Sequence, residues 1–211
     1  MPMLQKLAVI SKIALPSIFC LLISYSQQLI NLYFAGHLHN ERALASIGLA
    51  NSILSCFILS FFKSIDASLE TLVSQAFGSG NHDLCAVYLN RGLLCIIVSF
   101  IPIVGFVMVC EPLLVFIGQD PVISKITQKY LMWYLPAILV IGFCEHMRKF
   151  LNSYRVTYLP LAAFIIAVFF HPFWCQMLVI DDKFWIEGIA MSAFITNFLA
   201  LTVIYLLIKY Y

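Results

Sequence analysis

Charged residues are scarce in this sequence. Lysine, arginine, aspartate and glutamate together make up 10% of its 211 residues, whereas 63% are hydrophobic. Soluble domains carry about a quarter charged and about half apolar residues, so a soluble fold cannot bury this composition. The formal net charge of +2 is too small to indicate a nucleic-acid partner. The sequence therefore predicts an integral, multi-pass membrane protein whose surroundings are the lipid bilayer.

Catalytic and metal-binding motifs are also missing. The seven cysteines lie mostly inside apolar runs with no CxxC spacing, which predicts packing residues rather than a disulfide framework. The five histidines are scattered, so we expect no shared metal site. There is no nucleophile elbow, P-loop or zinc-protease helix. We therefore expect neither an enzyme nor a bound cofactor.

Long apolar runs divide the chain into six predicted transmembrane helices. The second continues past the length that an ~30 Å hydrocarbon core requires, so its latter part should project from the membrane. No linker or low-complexity segment interrupts the chain, which predicts a single all-α transmembrane domain, a six-helix bundle over residues 1–211. The predicted spans cover residues 11–36, 43–77, 84–109, 122–146, 157–180 and 185–209.

Basic residues are unevenly distributed between the two ends of this predicted bundle. One end collects most of the lysine and arginine, whereas the other mixes them with acids. By the positive-inside rule the basic end is cytoplasmic, and both termini are on that side. The basic residues at that end are Lys6, Lys12, Arg91, Arg148, Lys149, Arg155 and Lys209.

Polar side chains inside the spans are candidates for a substrate path, because they are costly in lipid unless they face protein or water. The alternative is that they form hydrogen bonds between packed helices. His171, which is also inside a span, has the same two interpretations. The candidates are Ser24, Gln28, Asn31, Asn51, His171 and Thr196.

Three charged residues recur on the second helix at Lys63, Asp66 and Glu70. Glu70 and Arg91 are at similar distances from the turn near residues 79–80, so we predict an ion pair between them. This pair, with Asp66, has two interpretations: a gate or structural clamp, or a proton relay.

An ordered set of short motifs runs along the chain. The set as a whole resembles the multidrug and toxic compound extrusion (MATE) family, in its eukaryotic form. The motifs are Ala14-Leu15-Pro16, Phe34-Ala35-Gly36-His37-Leu38, Leu69-Glu70-Thr71-Leu72, Tyr88-Leu89-Asn90-Arg91, Gly118-Gln119-Asp120-Pro121 and Gly188-Ile189-Ala190-Met191-Ser192.

The resemblance implies an antiporter that exports organic cations, xenobiotics or metabolites in exchange for protons or sodium ions, driven by the ion gradient. It implies two six-helix lobes, of which this chain matches the amino-terminal one, so we expect a fragment or half-length form that needs a second lobe or a homodimer. The expected location is a plasma or vacuolar-type membrane. Asn31 lies where many prokaryotic members carry a titrating aspartate, so we expect the coupling acids mainly in the other lobe.

Two other functions remain open from the sequence. The chain is also compatible with a non-transporting membrane subunit that assembles with a partner. A lipid-linked sugar flippase is a further alternative, although it would require a mid-span cluster of Arg or Lys that the sequence does not contain.

Overall fold

The computed structural model describes residues 3–38, 40–181 and 184–210, and side chains from Ser11 onward except residues 12, 13 and 181. These residues form helices and turns, with no strand among them. The helices are α1 (Met3–Gly36), α2 (Glu41–Ile53), α3 (Leu59–Gly78), α4 (His82–Met108), α5 (Cys110–Phe116), α6 (Pro121–Ser153), α7 (Tyr158–Cys175) and α8 (Trp185–Tyr210). Two π-helical segments, Leu54–Ile58 and Gln176–Asp181, continue α2 into α3 and extend α7.

Six helical stretches of the described chain are long and apolar enough to cross a membrane, which confirms the predicted all-α, six-span architecture. They are Ala14–Gly36, Glu41–Gly78, His82–Met108, Pro121–Ser153, Tyr158–Ile180 and Trp185–Tyr210. The second stretch has 38 residues, which corresponds to about 57 Å of helix and exceeds the ~30 Å hydrocarbon core. Its latter part therefore extends beyond the apolar layer.

Side-chain caps set where several helices begin. The Asn40 side chain accepts hydrogen bonds from the backbone N–H groups of Arg42 and Ala43 at the start of α2. Asp120 does the same for Val122 and Ile123 at the start of α6. Each cap satisfies donors that have no partner inside the helix.

Left-handed residues end three helices. Gly80, Gly118 and Arg155 have φ angles of 76°, 97° and 61°. After Arg155, the Val156 N–H donates back to the Leu151 carbonyl across 2.9 Å, the hydrogen bond of a Schellman motif. Glycine adopts this conformation without steric cost, whereas Arg155 adopts it despite its Cβ.

Helix α6 is the centre of the bundle and packs against α2, α3, α4, α5 and α8, while α1 packs on α7 and α7 on α8. One core, which includes Ile47, Tyr130 and Ile189, lies where α6 meets α2 and α8. A second, which includes Cys20 and Phe164, lies between α1, α6, α7 and α8. The resulting bundle leaves a space between α1, α3 and α6.

Two features differ from the sequence prediction. Helix α6 ends at Ser153, seven residues after the predicted residue 146, because the polar run after Cys144 stays helical and partly buried. The stretch between the third and fourth spans contains the short helix α5, which was predicted as part of a loop.

Candidate functional site

A cavity of about 120 Å³ opens in the space between α1, α3 and α6. Residues of the π-helical segment, Leu54 and Ser55, also line it, and π turns inside helices occur frequently at functional sites. Polar and charged side chains from the first, second and fourth spans and from α8 line the cavity. They include Ser24, Gln27, Gln28, Asn51, Ser55, Lys63, Asp66, Tyr134, Glu145 and Asn197.

Four of the predicted residues therefore share one cavity: Ser24, Gln28, Asn51 and Asp66. Ser24 and Gln28 reach it together because residues four apart lie on one face of α1. Gln27 lines the same cavity, and its buried Nε2 has no hydrogen-bond partner among the described residues. A buried amide donor without a partner is costly.

The three remaining substrate-path candidates, Asn31, His171 and Thr196, form a separate hydrogen-bonded network. His171 Nδ1 lies 2.8 Å from Thr196 Oγ1, and His171 Nε2 lies 2.8 Å from Asn31 Oδ1. All three side chains are buried. The structure brings them together between α1, α7 and α8, and none of the three lines the cavity.

Asp66 contacts a histidine that the sequence did not single out as a site residue. His146 Nδ1 lies 2.7 Å from Asp66 Oδ1, and the two side chains are 3% and 0% exposed for Asp66 and His146. His146 Nε2 is buried, has no hydrogen-bond partner in the part of the chain that the structure describes, and faces Gly92 of α4, where an added Cβ would approach it to 2.2 Å. Only glycine therefore leaves room for this ring.

A second charged pair lies on α6 beside the Asp66–His146 pair. Arg148 Nε donates to Glu145 Oε2 at 3.1 Å, and the Arg148 side chain is 6% exposed. Lys63 lines the cavity from α3. The cavity thus has two carboxylates and one ammonium group in its wall, with Arg148 compensating one of the carboxylates.

The predicted ion pair between Glu70 and Arg91 is wrong. Glu70 pairs with Lys149 of α6, whereas Arg91 is exposed on α4. Two residues at similar distances from the turn of a helical hairpin do not always contact each other, because the rotation of each helix about its axis determines which faces meet. The clamp that Glu70 forms joins α3 to α6 instead of α3 to α4.

Among the site residues that sequence reasoning missed are His146 and Glu145. They belong to the run Glu145-His146-Met147-Arg148-Lys149, which was assigned to the cytoplasmic end of the fourth span. The available signal was the absence of glycine and proline from residue 145 to residue 153, which lets the helix continue past His146. Within the described residues, no group of three or more His, Cys, Asp and Glu side chains is placed to hold a metal ion.

A bundle of six spanning helices with a polar cavity in its interior is the architecture of a membrane transporter lobe. The family model described as MatE matches residues 16–177, and this chain belongs to that family of transporters. The chain spans about two fifths of the length of the curated relatives that it matches.

Two Arabidopsis thaliana proteins illustrate the relationship. Protein DETOXIFICATION 8 is 30% identical over 183 residues, which cover 87% of this chain and 38% of that protein. Protein DETOXIFICATION 7 is 29% identical over 212 residues, which cover 100% of this chain and 41% of that protein.

The crystal structure of the eukaryotic MATE transporter AtDTX14 is similar with a TM-score of 0.92 and 25% identity. The match covers 98% of this chain and 46% of that structure. The chain therefore has the fold of one lobe of a MATE transporter.

Proposed function

We propose that this chain forms one lobe of an antiporter that exports organic cations, xenobiotics or cationic metabolites in exchange for protons or sodium ions. The cavity between α1, α3 and α6 is the observation that carries the proposal. Its amide and hydroxyl groups can orient a polar ligand, and the Asp66 carboxylate can attract a positive charge, whereas Glu145 is paired with Arg148. The proposed mechanism involves no covalent reaction.

The size of the cavity supports a two-part binding site. Its volume of about 120 Å³ is well below the roughly 300–1,000 Å³ of pockets that enclose a drug-sized ligand. One lobe would therefore hold only part of a substrate, and a facing lobe or a second copy of this chain would supply the opposite wall. Transport would follow from rocking of the two lobes between inward-open and outward-open states.

Charge at the cavity distinguishes this proposal from the flippase alternative. A site for a lipid-linked phosphate would require an excess of cationic side chains. Among the side chains that line the cavity, the charge of Lys63 is offset by Asp66, and Glu145 pairs with Arg148. The cavity wall therefore lacks the excess of cationic side chains that a lipid-linked phosphate would require.

Transport can be tested by reconstituting the 211-residue chain in liposomes, alone and with the carboxy-terminal lobe of a MATE relative. We expect no gradient-driven efflux of a fluorescent organic cation from the chain alone, and efflux driven by a pH or sodium gradient from the two-lobe assembly. A stable assembly with no flux in either gradient would instead support the non-transporting subunit.

A pair of serine variants locates the site within such an assembly. Ser55 lines the cavity, whereas Ser52 is exposed one turn away on α2. Ser55→Leu should reduce efflux by filling the cavity, and Ser52→Leu should leave it unchanged. Equal rates from both variants would show that substrate does not pass through this cavity.

A further inference from the structure

We propose that the Asp66 carboxyl, positioned by His146, is a proton-binding group in this lobe that exchanges its proton for a cation in the cavity. The proposal rests on the proposed function for the identity of the cation. The proton site itself rests on the geometry of Asp66, His146 and Gly92.

The position of the hydrogen on His146 follows from its surroundings. Nδ1 lies 2.7 Å from the Asp66 carboxyl, whereas Nε2 is buried against Gly92 with no acceptor among the described residues. A buried N–H with no acceptor is costly. The favoured form of the ring is therefore neutral, with the hydrogen on Nδ1 donated to Asp66 and a bare lone pair on Nε2.

This arrangement leaves the Asp66 carboxyl as the group that gains and loses a proton. Burial penalises its charged form, whereas the Nδ1–H bond stabilises that form. Asp66 also lines the cavity, so water or a ligand there can reach it. An extra proton on Nε2 would face Gly92 instead of an acceptor, whereas Asp66 borders the cavity.

The other charged groups near Asp66 and His146 determine the net charge of the cavity wall when Asp66 is protonated and when it is ionised. Glu145 and Arg148 of α6 pair with each other, and Lys63 lines the cavity from α3. Helix α4 presents Gly92 at this point, and its Arg91 is exposed. Other titratable side chains that line the cavity are Tyr25, Tyr134 and Cys144.

The net charge of the cavity wall therefore changes with Asp66. When Asp66 is a carboxylate it offsets Lys63 and the wall is neutral overall, so a cation can bind. When Asp66 carries its proton the wall has an excess positive charge that repels a cation. Binding of a cation thus expels one proton from the carboxyl to water, and proton uptake expels the cation.

The first experiment measures cation binding and proton release together. Purified chain in lipid nanodiscs is titrated calorimetrically with tetramethylammonium, a cation small enough for the cavity of about 120 Å³, in two buffers with different heats of ionisation, between about pH 5 and 8. We expect affinity to fall about tenfold toward the acidic end, and proton release on binding. Asp66→Asn should abolish the pH dependence and the proton release, whereas Asp83→Asn, at an exposed position on α4, should behave as wild type.

The second experiment needs no ligand. In nitrogen NMR of histidine-labelled chain, the signal that is absent from His146→Gln should come from a neutral ring with its hydrogen on Nδ1. Infrared spectra should show a protonated carboxyl band that disappears as the pH rises. A charged His146 ring, or a carboxyl band that does not change with pH, would overturn the proposal.

The outcomes separate the two proposals. If tetramethylammonium binds at no pH, the proposed cation site in this cavity is contradicted, and the infrared titration still decides whether Asp66 binds a proton. If tetramethylammonium binds equally at every pH and no proton is released, cation binding stands and the exchange at Asp66 is refuted.

Discussion

Asp66 and Glu70 lie one turn apart on α3, yet their surroundings differ sharply. The Asp66 side chain is 3% exposed and contacts His146, whereas the Glu70 side chain is 43% exposed and contacts Lys149. A partly exposed pair is screened by water and contributes little, while loss of one member of a buried pair leaves the other without a partner. The two carboxylates therefore have different roles despite their proximity in sequence.

Replacement of Glu70 should have only a small effect on stability. Because the Glu70–Lys149 pair is partly exposed, Glu70→Gln should cost about 1 kcal/mol or less. Arg91→Gln is the matched control, and it should cost nothing measurable because Arg91 is exposed on α4. Thermal unfolding of the detergent-solubilised chain measures both. A larger loss of stability from Arg91→Gln than from Glu70→Gln would instead support the Glu70–Arg91 pair predicted from the sequence.

Thr196 should matter more than its exposed counterpart on the same helix. Thr196→Val removes the hydroxyl that faces His171 Nδ1 at 2.8 Å and leaves a buried ring nitrogen without its partner. We expect a loss of about 1–3 kcal/mol. Thr202 is exposed and donates to the Phe198 carbonyl of its own helix, so Thr202→Val should change stability by no more than about 0.5 kcal/mol. Equal melting temperatures for the two variants would contradict the network.

At the scale of helices, Gly92 of α4 lies directly against the His146 ring of α6. A Cβ on Gly92 would lie 2.2 Å from His146, whereas a Cβ on Gly105 of the same helix would meet nothing within 4 Å. Alanine is otherwise preferred over glycine inside a helix by about 1 kcal/mol. A comparison of alanine at Gly92 and at Gly105 therefore separates helix propensity from the steric contact with His146.

Alanine should have opposite effects at these two glycines. Gly92→Ala should destabilise the chain by about 1–3 kcal/mol because the His146 ring must move in a packed site. Gly105→Ala should stabilise it by up to about 1 kcal/mol. Melting temperatures in detergent give the comparison. If Gly92→Ala is as stable as Gly105→Ala, His146 does not pack against α4.

The helices could be predicted from the sequence more fully than their contacts. An apolar run of sufficient length indicates a span whatever surrounds it, which is why all six were found. The partner of a charged side chain depends on the rotation and register of two helices, which no local pattern contains. For this reason Glu70 was assigned to Arg91, and the burial of His146 was not foreseen. Ser24, Gln28 and Asn51, which line the cavity, could be singled out because each lies on a polar face within a span, and their role as substrate contacts stays a prediction.

At the scale of the whole molecule, six spans place the connections of the chain at two opposite ends. The turns around residues 79–81 and 154–157 lie at one end, and those around 37–40 and 109–120 lie at the other. The excess of lysine and arginine belongs to the first end. We propose that this end, with both termini, faces the cytoplasm.

Labelling of single introduced cysteines with a membrane-impermeant maleimide tests this orientation. Asp83 and Gln119 are suitable positions because both are exposed, whereas Asn40 and Asn81 cap helices. We expect Asp83→Cys to react only after the membrane is permeabilised and Gln119→Cys to react in intact cells.

Native thiols near these positions should give little background. Cys85, close to Asp83, is buried. Cys110, at the same end of the bundle as Gln119, is also buried, and burial raises the pKa of its thiol, so the reactive thiolate is scarce at neutral pH. The unmodified chain therefore serves as the control on both sides. Reaction of Asp83→Cys in intact cells, with Gln119→Cys protected, would invert the proposed orientation, because helices of a fixed bundle must exchange sides together.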